Sequence, residues 1–153
     1  MMTWRAVTVF LGTYEHSMDE KGRLVLPRKH RDLLEEGCII TKGLDRCLFV
    51  FSLQDWEQEY ERLKALPRTD RRARQLQRSF FAGADNVTLD KQGRIPIPEK
   101  LRHYASLAKD VTVVGNGDHI EIWSTSMWEG EETEADEYYS GIEEVLNLER
   151  DSL

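Results

Sequence analysis

DEKGRLVLPRKHR, residues Asp19–Arg31, returns 71 positions later as DKQGRIPIPEKLR, residues Asp90–Arg102. Across Gly12–Arg31 and Gly83–Arg102, seven of 20 aligned positions are identical: Gly12/Gly83, Asp19/Asp90, Gly22/Gly93, Arg23/Arg94, Pro27/Pro98, Lys29/Lys100 and Arg31/Arg102. A one-residue slip then pairs Gly43 with Gly115, Ser52 with Ser124 and Trp56 with Trp128. The shared residues are turn-formers and helix-starters, so the chain holds two copies of one small module.

Each copy spells the same local structure. In the first, Gly12–Met18 predicts a strand, and Asp19–Gly22 a turn with Gly22 suited to positive φ. Arg23–Leu26 returns as a second strand with Leu24 and Leu26 on one face. Pro27 then opens a short helix that stops before Gly37. Strands at Cys38–Thr41 and Leu48–Phe51 complete the unit. The second copy predicts strands at Asn86–Leu89, Arg94–Ile97, Val111–Val114 and His119–Trp123, with Pro98 opening its helix. About 40 residues bury too little apolar surface to stand alone, so the copies are expected to interleave or stack on a common core.

Between them, Ser52 is a good N-cap for a helix carrying Leu53, Trp56, Tyr60 and Leu63 as an apolar stripe. Pro67 interrupts it. Thr69 or Asp70 can cap a second helix whose Ala73, Leu76, Phe80 and Phe81 share a face and whose other positions carry Arg71, Arg72, Arg74 and Arg78. Ser124 or Ser126 can cap a third, running past Trp128 toward Tyr138, Tyr139, Ile142 and Leu146, weakened by Gly130 and Gly141. The expected organisation is an extension over 1–11, a first module over 12–56, a helical connector over 57–82, a second module over 83–128 and a tail over 129–153.

The 153 residues carry 28 acids and 21 bases, a formal net charge of −7, which taken whole argues against a polyanionic partner. The distribution reverses that. From Glu129 onward there are ten acids and one base, leaving 18 acids and 20 bases in residues 1–128. A nearly neutral, slightly basic body thus joins a strongly acidic tail. The apolar run Ala6–Thr13 is too short to span a bilayer, and no signal-peptide pattern precedes it, so no membrane association and a cytoplasmic location are expected.

Reactive groups do not converge. Cys38 and Cys47 lack the paired spacing of a zinc site and read as buried free thiols. The four histidines are scattered. Gly115–His119 lacks the residues that complete a phosphate loop and reads as a hairpin turn. Asp19 and Asp90 each precede an arginine by four positions, a pattern that shapes a turn rather than a catalytic pair. No enzyme activity, cofactor or metal is expected.

What the turns do present is positive charge. Lys21, Arg23, Lys91 and Arg94 lie in or beside them, and the short helices add Arg28, Lys29, Arg31, Lys100 and Arg102. Lys21–Arg31 holds five bases and no acid. Two basic hairpin tips suit phosphates, and arginine can fork onto guanine in the major groove. A solvated charged face with ion pairs is the competing reading.

The doubled Asp-x-x-Gly-Arg-x3-Pro pattern, the opening Phe10–His16, the stretch Thr41–Phe51 and the connector ending Phe80–Ala84 together resemble the MraZ family of bacterial transcriptional regulators. The resemblance implies mainly β structure with α: tandem AbrB/SpoVT-type swapped-hairpin β-barrel units with packed helices, in a ring-like homo-oligomer. It also implies nucleoid association and binding of double-stranded DNA at short promoter repeats of the division and cell wall gene cluster. Carried onto this chain, Lys21, Arg23, Arg28, Lys29, Arg31, Lys91, Arg94 and Arg102 are the expected DNA contacts, and Asp19, Gly22, Asp90 and Gly93 shape the loops. Three features depart from the pattern: Met1–Val9 precede the usual start, Pro96 stands in a strand where an apolar residue is expected, and Glu99 faces Arg28 across the repeat. The last two imply that the first copy reads DNA more strongly while the second serves assembly. An oligomeric adaptor acting through the acidic tail is the alternative, and a tail that competes with DNA for the basic face is a third expectation.

Overall fold

In the computed structural model, which describes residues 8–142 and 146–147, every strand of the second repeat pairs with a strand of the first. The first repeat supplies β1 (Phe10–Ser17), β2 (Arg23–Val25), β3 (Cys38–Lys42) and β4 (Leu48–Ser52). The second supplies β5 (Asp85–Val87), β6 (Arg94–Pro96), β7 (Asp110–Gly117) and β8 (Ile120–Ser124). They form an antiparallel six-stranded sheet in the order β1-β7-β8-β4-β3-β5, and a separate two-stranded ribbon of β2 and β6. The expected class, β with packed helices, stands. The strands group into one shared sheet and a ribbon, each built from both repeats.

Strand exchange limits the hairpin expected from Gly12 to Leu26 to its tip. There the chain is held by the bridge Met18–Leu24 and by the Asp19 N–H, which donates to the Arg23 carbonyl at 2.9 Å. β1 instead runs along β7 for eight residue pairs, from Phe10 opposite Gly117 to Ser17 opposite Asp110. The registers expose an internal two-fold axis. In the ribbon Arg23 faces Pro96, Leu24 faces Ile95 and Val25 faces Arg94. At the sheet centre Leu48 faces Ile122, Phe49 faces Glu121 and Val50 faces Ile120. Leu24/Ile95 and Phe49/Glu121 thus mark the axis.

Burial explains the exchange. Leu24, Leu26, Ile40, Leu48 and Val50 from one repeat and Ile95, Val111, Val113, Ile120 and Ile122 from the other are fully buried in a single cluster. Neither repeat could enclose that set alone. Leu34, Leu101 and Ala105 close it from beneath the short helices α1 (Arg28–Arg31), with its 3-10 extension Asp32–Leu34, and α4 (Glu99–Tyr104). Pro27 and Pro98 precede these helices, where a missing N–H leaves no bond unmade.

The connector folds as α2 (Leu53–Lys64) and α3 (Arg71–Ala82). Ser52 Oγ accepts the Asp55 N–H at 3.0 Å, and Asp70 Oδ1 accepts the Arg72 N–H at 2.8 Å, so both caps work through a side chain. Of the expected stripes, Leu63, Ala73 and Phe80 are buried, whereas Leu53, Tyr60 and Leu76 stay exposed. Trp56, Phe80, Phe81 and Phe51 make the apolar contact instead, so aromatic packing across the helix pair leaves part of each stripe in solvent. The tail helix α5 (Thr125–Tyr139) starts from Ser124 without a side-chain cap and buries none of its residues. Among the described residues no helix is long and apolar enough to cross a membrane. Cys38 and Cys47 are buried free thiols; burial pushes Cys38 up to about 12 and raises Cys47 further.

Candidate nucleic-acid interface

The two Asp-x-x-Gly-Arg turns are built alike. Asp19 Oδ1 accepts the N–H groups of Lys21 and Arg23, each at 2.9 Å, and Oδ2 accepts Arg23 Nε–H at 2.8 Å. Asp90 does the same with Gln92, Arg94 and Arg94 Nε at 2.9, 2.9 and 2.7 Å. The carbonyls of Asp19 and Asp90 accept the N–H groups of Gly22 and Gly93, closing each turn. Gly22 and Gly93 take φ of 77° and 75°, a region where a side chain is strained. Hydrogen bonds from the Arg23 and Arg94 backbone N–H groups lead in holding the two carboxyls below the usual aspartate range. Both aspartates are therefore anionic at neutral pH and lock the turn shape.

Strand exchange brings the turns side by side. Leu26 N–H donates to the Gly93 carbonyl at 3.1 Å, and Ile97 N–H donates to the Gly22 carbonyl at 2.9 Å. Arg31 donates its Nε–H to the Leu26 carbonyl at 2.8 Å, and Arg102 donates its own to the Ile97 carbonyl at 3.0 Å. Each guanidinium then covers the other repeat's turn: Arg31 lies over Gly93 and Arg102 over Gly22. One contact breaks the symmetry. Arg94 Nη1 lies 3.6 Å from Asp19 Oδ2, so Asp19 serves two arginines.

The expected site residues thus fall into two groups. Lys21 and Lys91 are exposed at adjoining tips, and Arg28, Lys29 and Lys100 are exposed on the short helices that follow. Lys29 Nζ sits 5.2 Å above the Tyr14 ring, which aims it without neutralising it. Arg23, Arg94, Arg31 and Arg102 are half-buried and hydrogen-bonded within the two turns, although each guanidinium has donors beyond Nε. Pro96 is exposed in β6 opposite Arg23, within a ribbon that has only two strands and so can spare its donor. Two findings escaped the sequence reading: the Arg94–Asp19 link and the arginine covers over the opposite glycines. Their only signal was the identical spacing of Gly22–Arg31 and Gly93–Arg102, which does not say whose turn each arginine covers.

A family model described as "MraZ protein, putative antitoxin-like" matches residues 9–79 and 80–144, with two tandem segments that divide the chain where the repeat does. The chain belongs to the MraZ family. For an MraZ member, the interleaving seen here means that the two family segments contribute to one core and one double turn.

Proposed function

We propose that this protein is a sequence-specific DNA-binding transcriptional regulator whose double turn is the reading head. One observation carries the reading: two copies of a rigid turn, cross-bonded about a two-fold axis, hold Lys21 and Lys91 exposed at adjoining tips. A two-stranded ribbon fits the major groove, and lysines on a preorganised backbone contact phosphates without ordering on binding. Arg23 and Arg94 hold the tips through Asp19 and Asp90 and offer their remaining donors to base edges. The expected target is the set of short promoter repeats of the division and cell wall gene cluster, as the family resemblance implies, engaged by a ring-like homo-oligomer whose modest individual contacts add through avidity.

The test is fluorescence anisotropy with the native promoter fragment against a shuffled fragment. Arg23→Ala should remove the preference for the promoter while sedimentation shows an unchanged oligomer. Equal binding to both fragments by the wild-type chain overturns the reading.

A further inference from the structure

The internal two-fold relates the two halves, yet their helices are left in different states. In the first half Trp56 of α2 stacks on Phe80 of α3, with ring centroids 5.5 Å apart and planes 8° from parallel. In the second half Trp128, the equivalent residue of α5, meets Trp123 at 5.6 Å, and among the described residues no further helix lies over α5. α5 packs on β7 and β8, whereas α3 packs on β3, in the other half of the sheet.

The two helices carry opposite stripes. Arg71, Arg74 and Arg78 recur at spacings of three and four along α3, and Glu129, Glu132 and Asp136 recur at the same spacings along α5. Those spacings place each set on one face. Among the described residues no ion pair within the chain uses any of the six. Like charges one turn apart repel, so each stripe opposes its own helix unless an opposite charge lies across it. Tyr139, three residues past Asp136 and 73 % exposed, extends the same face with an aromatic ring that can receive a guanidinium.

We propose that the Arg71–Arg74–Arg78 face of one chain docks on the Glu129–Glu132–Asp136 face of a second copy. With α3 and α5 over different halves of the sheet, the contact runs head to tail: it leaves the first copy its α5 and the second its α3, and the chain of contacts closes into a ring when the rotation permits. The proposal rests on the self-association in the functional reading above, but it is read out as mass in the absence of DNA.

The experiment uses the full chain, with native mass spectrometry and sedimentation. One variant carries Arg71→Glu, Arg74→Glu and Arg78→Glu; the other carries Glu129→Lys, Glu132→Lys and Asp136→Lys. Each alone should lose the wild-type assembly, because it bears two like-charged faces. Mixed in equal amounts they should assemble as alternating copies, at the wild-type mass where its subunit number is even and at the nearest even number otherwise, and the wild-type assembly should dissociate as salt rises from about 50 to about 500 mM. If circular dichroism finds either reversal unfolded, a set with glutamine at the same three positions carries the same expected loss of mass. A monomeric wild type, an unchanged mass in the variants, or a mixture that fails to reassemble overturns the proposal. So does an arginine variant that keeps its mass and loses DNA, which makes α3 a DNA contact. A mass that responds as expected while Arg23→Ala leaves promoter preference intact upholds this interface and removes only the proposed reading head.

Discussion

The Arg31 guanidinium lies against Gly93 of the opposite repeat, so closely that a Cβ placed on Gly93 would sit 2.6 Å from Arg31 Cδ. The mirror contact, Arg102 on Gly22, leaves 2.8 Å between such a Cβ and Cζ. Gly93→Ala therefore meets two penalties, a side chain at φ of 75° and the displacement of an arginine that ties the turn to Leu26. Left-handed strain alone costs about 1–2 kcal/mol. Gly117 isolates that part, because it has φ of 78° and open space where its Cβ would be. Urea unfolding should show Gly93→Ala and Gly22→Ala losing about 2–4 kcal/mol and Gly117→Ala about 1–2. Equal losses at the three sites would mean that the arginine covers contribute nothing.

The same contact marks where sequence reading stops. The repeat, the turn at each Asp-x-x-Gly-Arg, the prolines opening α1 and α4, and the Ser52 cap all follow from residues within a few positions of one another. Strand partners do not. A three-residue strand such as Arg23–Val25 has the same apolar pattern whether it pairs with β1 or with β6, so only the shared burial of Leu24 and Ile95 decides. Arg31 and Arg102 count as surface charge in a sequence, and only the exchanged ribbon turns them into covers over the opposite glycines. Leu76 erred the other way: it keeps helical spacing with Phe80, but the aromatic contacts of Trp56 and Phe80 leave it 40 % exposed.

His30 should set the acid side of stability above pH 4. It is 1 % exposed, lies edge-on to Phe10 and Tyr14, and its Nε2 has no hydrogen-bond partner among the described residues. Burial, with a smaller contribution from the Lys29 charge, lowers its pKa to about 4. The unfolded chain, titrating near 6.5, binds the proton first, so the share of stability that His30 contributes is complete above 6.5 and is lost as pH drops toward 4. The loss is on the order of 3 kcal/mol. His16 is lowered too, mainly by burial, and adds to this window, whereas Asp19 and Asp90 act only below the ordinary aspartate value of 3.8. Leucine stands at the equivalent position 101, fully at home in the core. His30→Leu should flatten most of the slope in unfolding free energy between pH 6.5 and 4; an unchanged slope would assign it to other groups.

Asp19 and Asp90 should not be interchangeable. Both accept two backbone N–H groups and their own arginine, but only Asp19 has a second guanidinium, that of Arg94, at 3.6 Å. An asparagine can keep the bonds at Oδ1, while its amide nitrogen would point a donor at an arginine that also donates. Asp19→Asn should therefore lower the melting temperature and the promoter affinity more than Asp90→Asn. Arg94→Ala strips Asp90 of its own partner and leaves Asp19 with Arg23, so the cross-turn pair is isolated by the coupling between Asp19→Asn and Arg94→Ala in a double-mutant cycle. Equal effects of the two asparagine variants, with no such coupling, would show that the cross-turn pair carries no energy.

Cross-bonding of the tips makes a further demand on DNA binding. The richer basic content of Lys21–Arg31 points to a dominant first copy, but Glu20 shares the first exposed tip with Lys21, whereas Gln92 accompanies Lys91. Two adjoining tips on one rigid ribbon approach a duplex together, so each lysine should neutralise about one phosphate. Lys21→Ala and Lys91→Ala should each reduce the slope of log affinity against log salt by about 1, and the double substitution by about 2, with little change in sequence preference. Titrations at several salt concentrations read this directly. A slope that responds to Lys21 alone would restore the division of labour between the copies and remove the second tip from the interface.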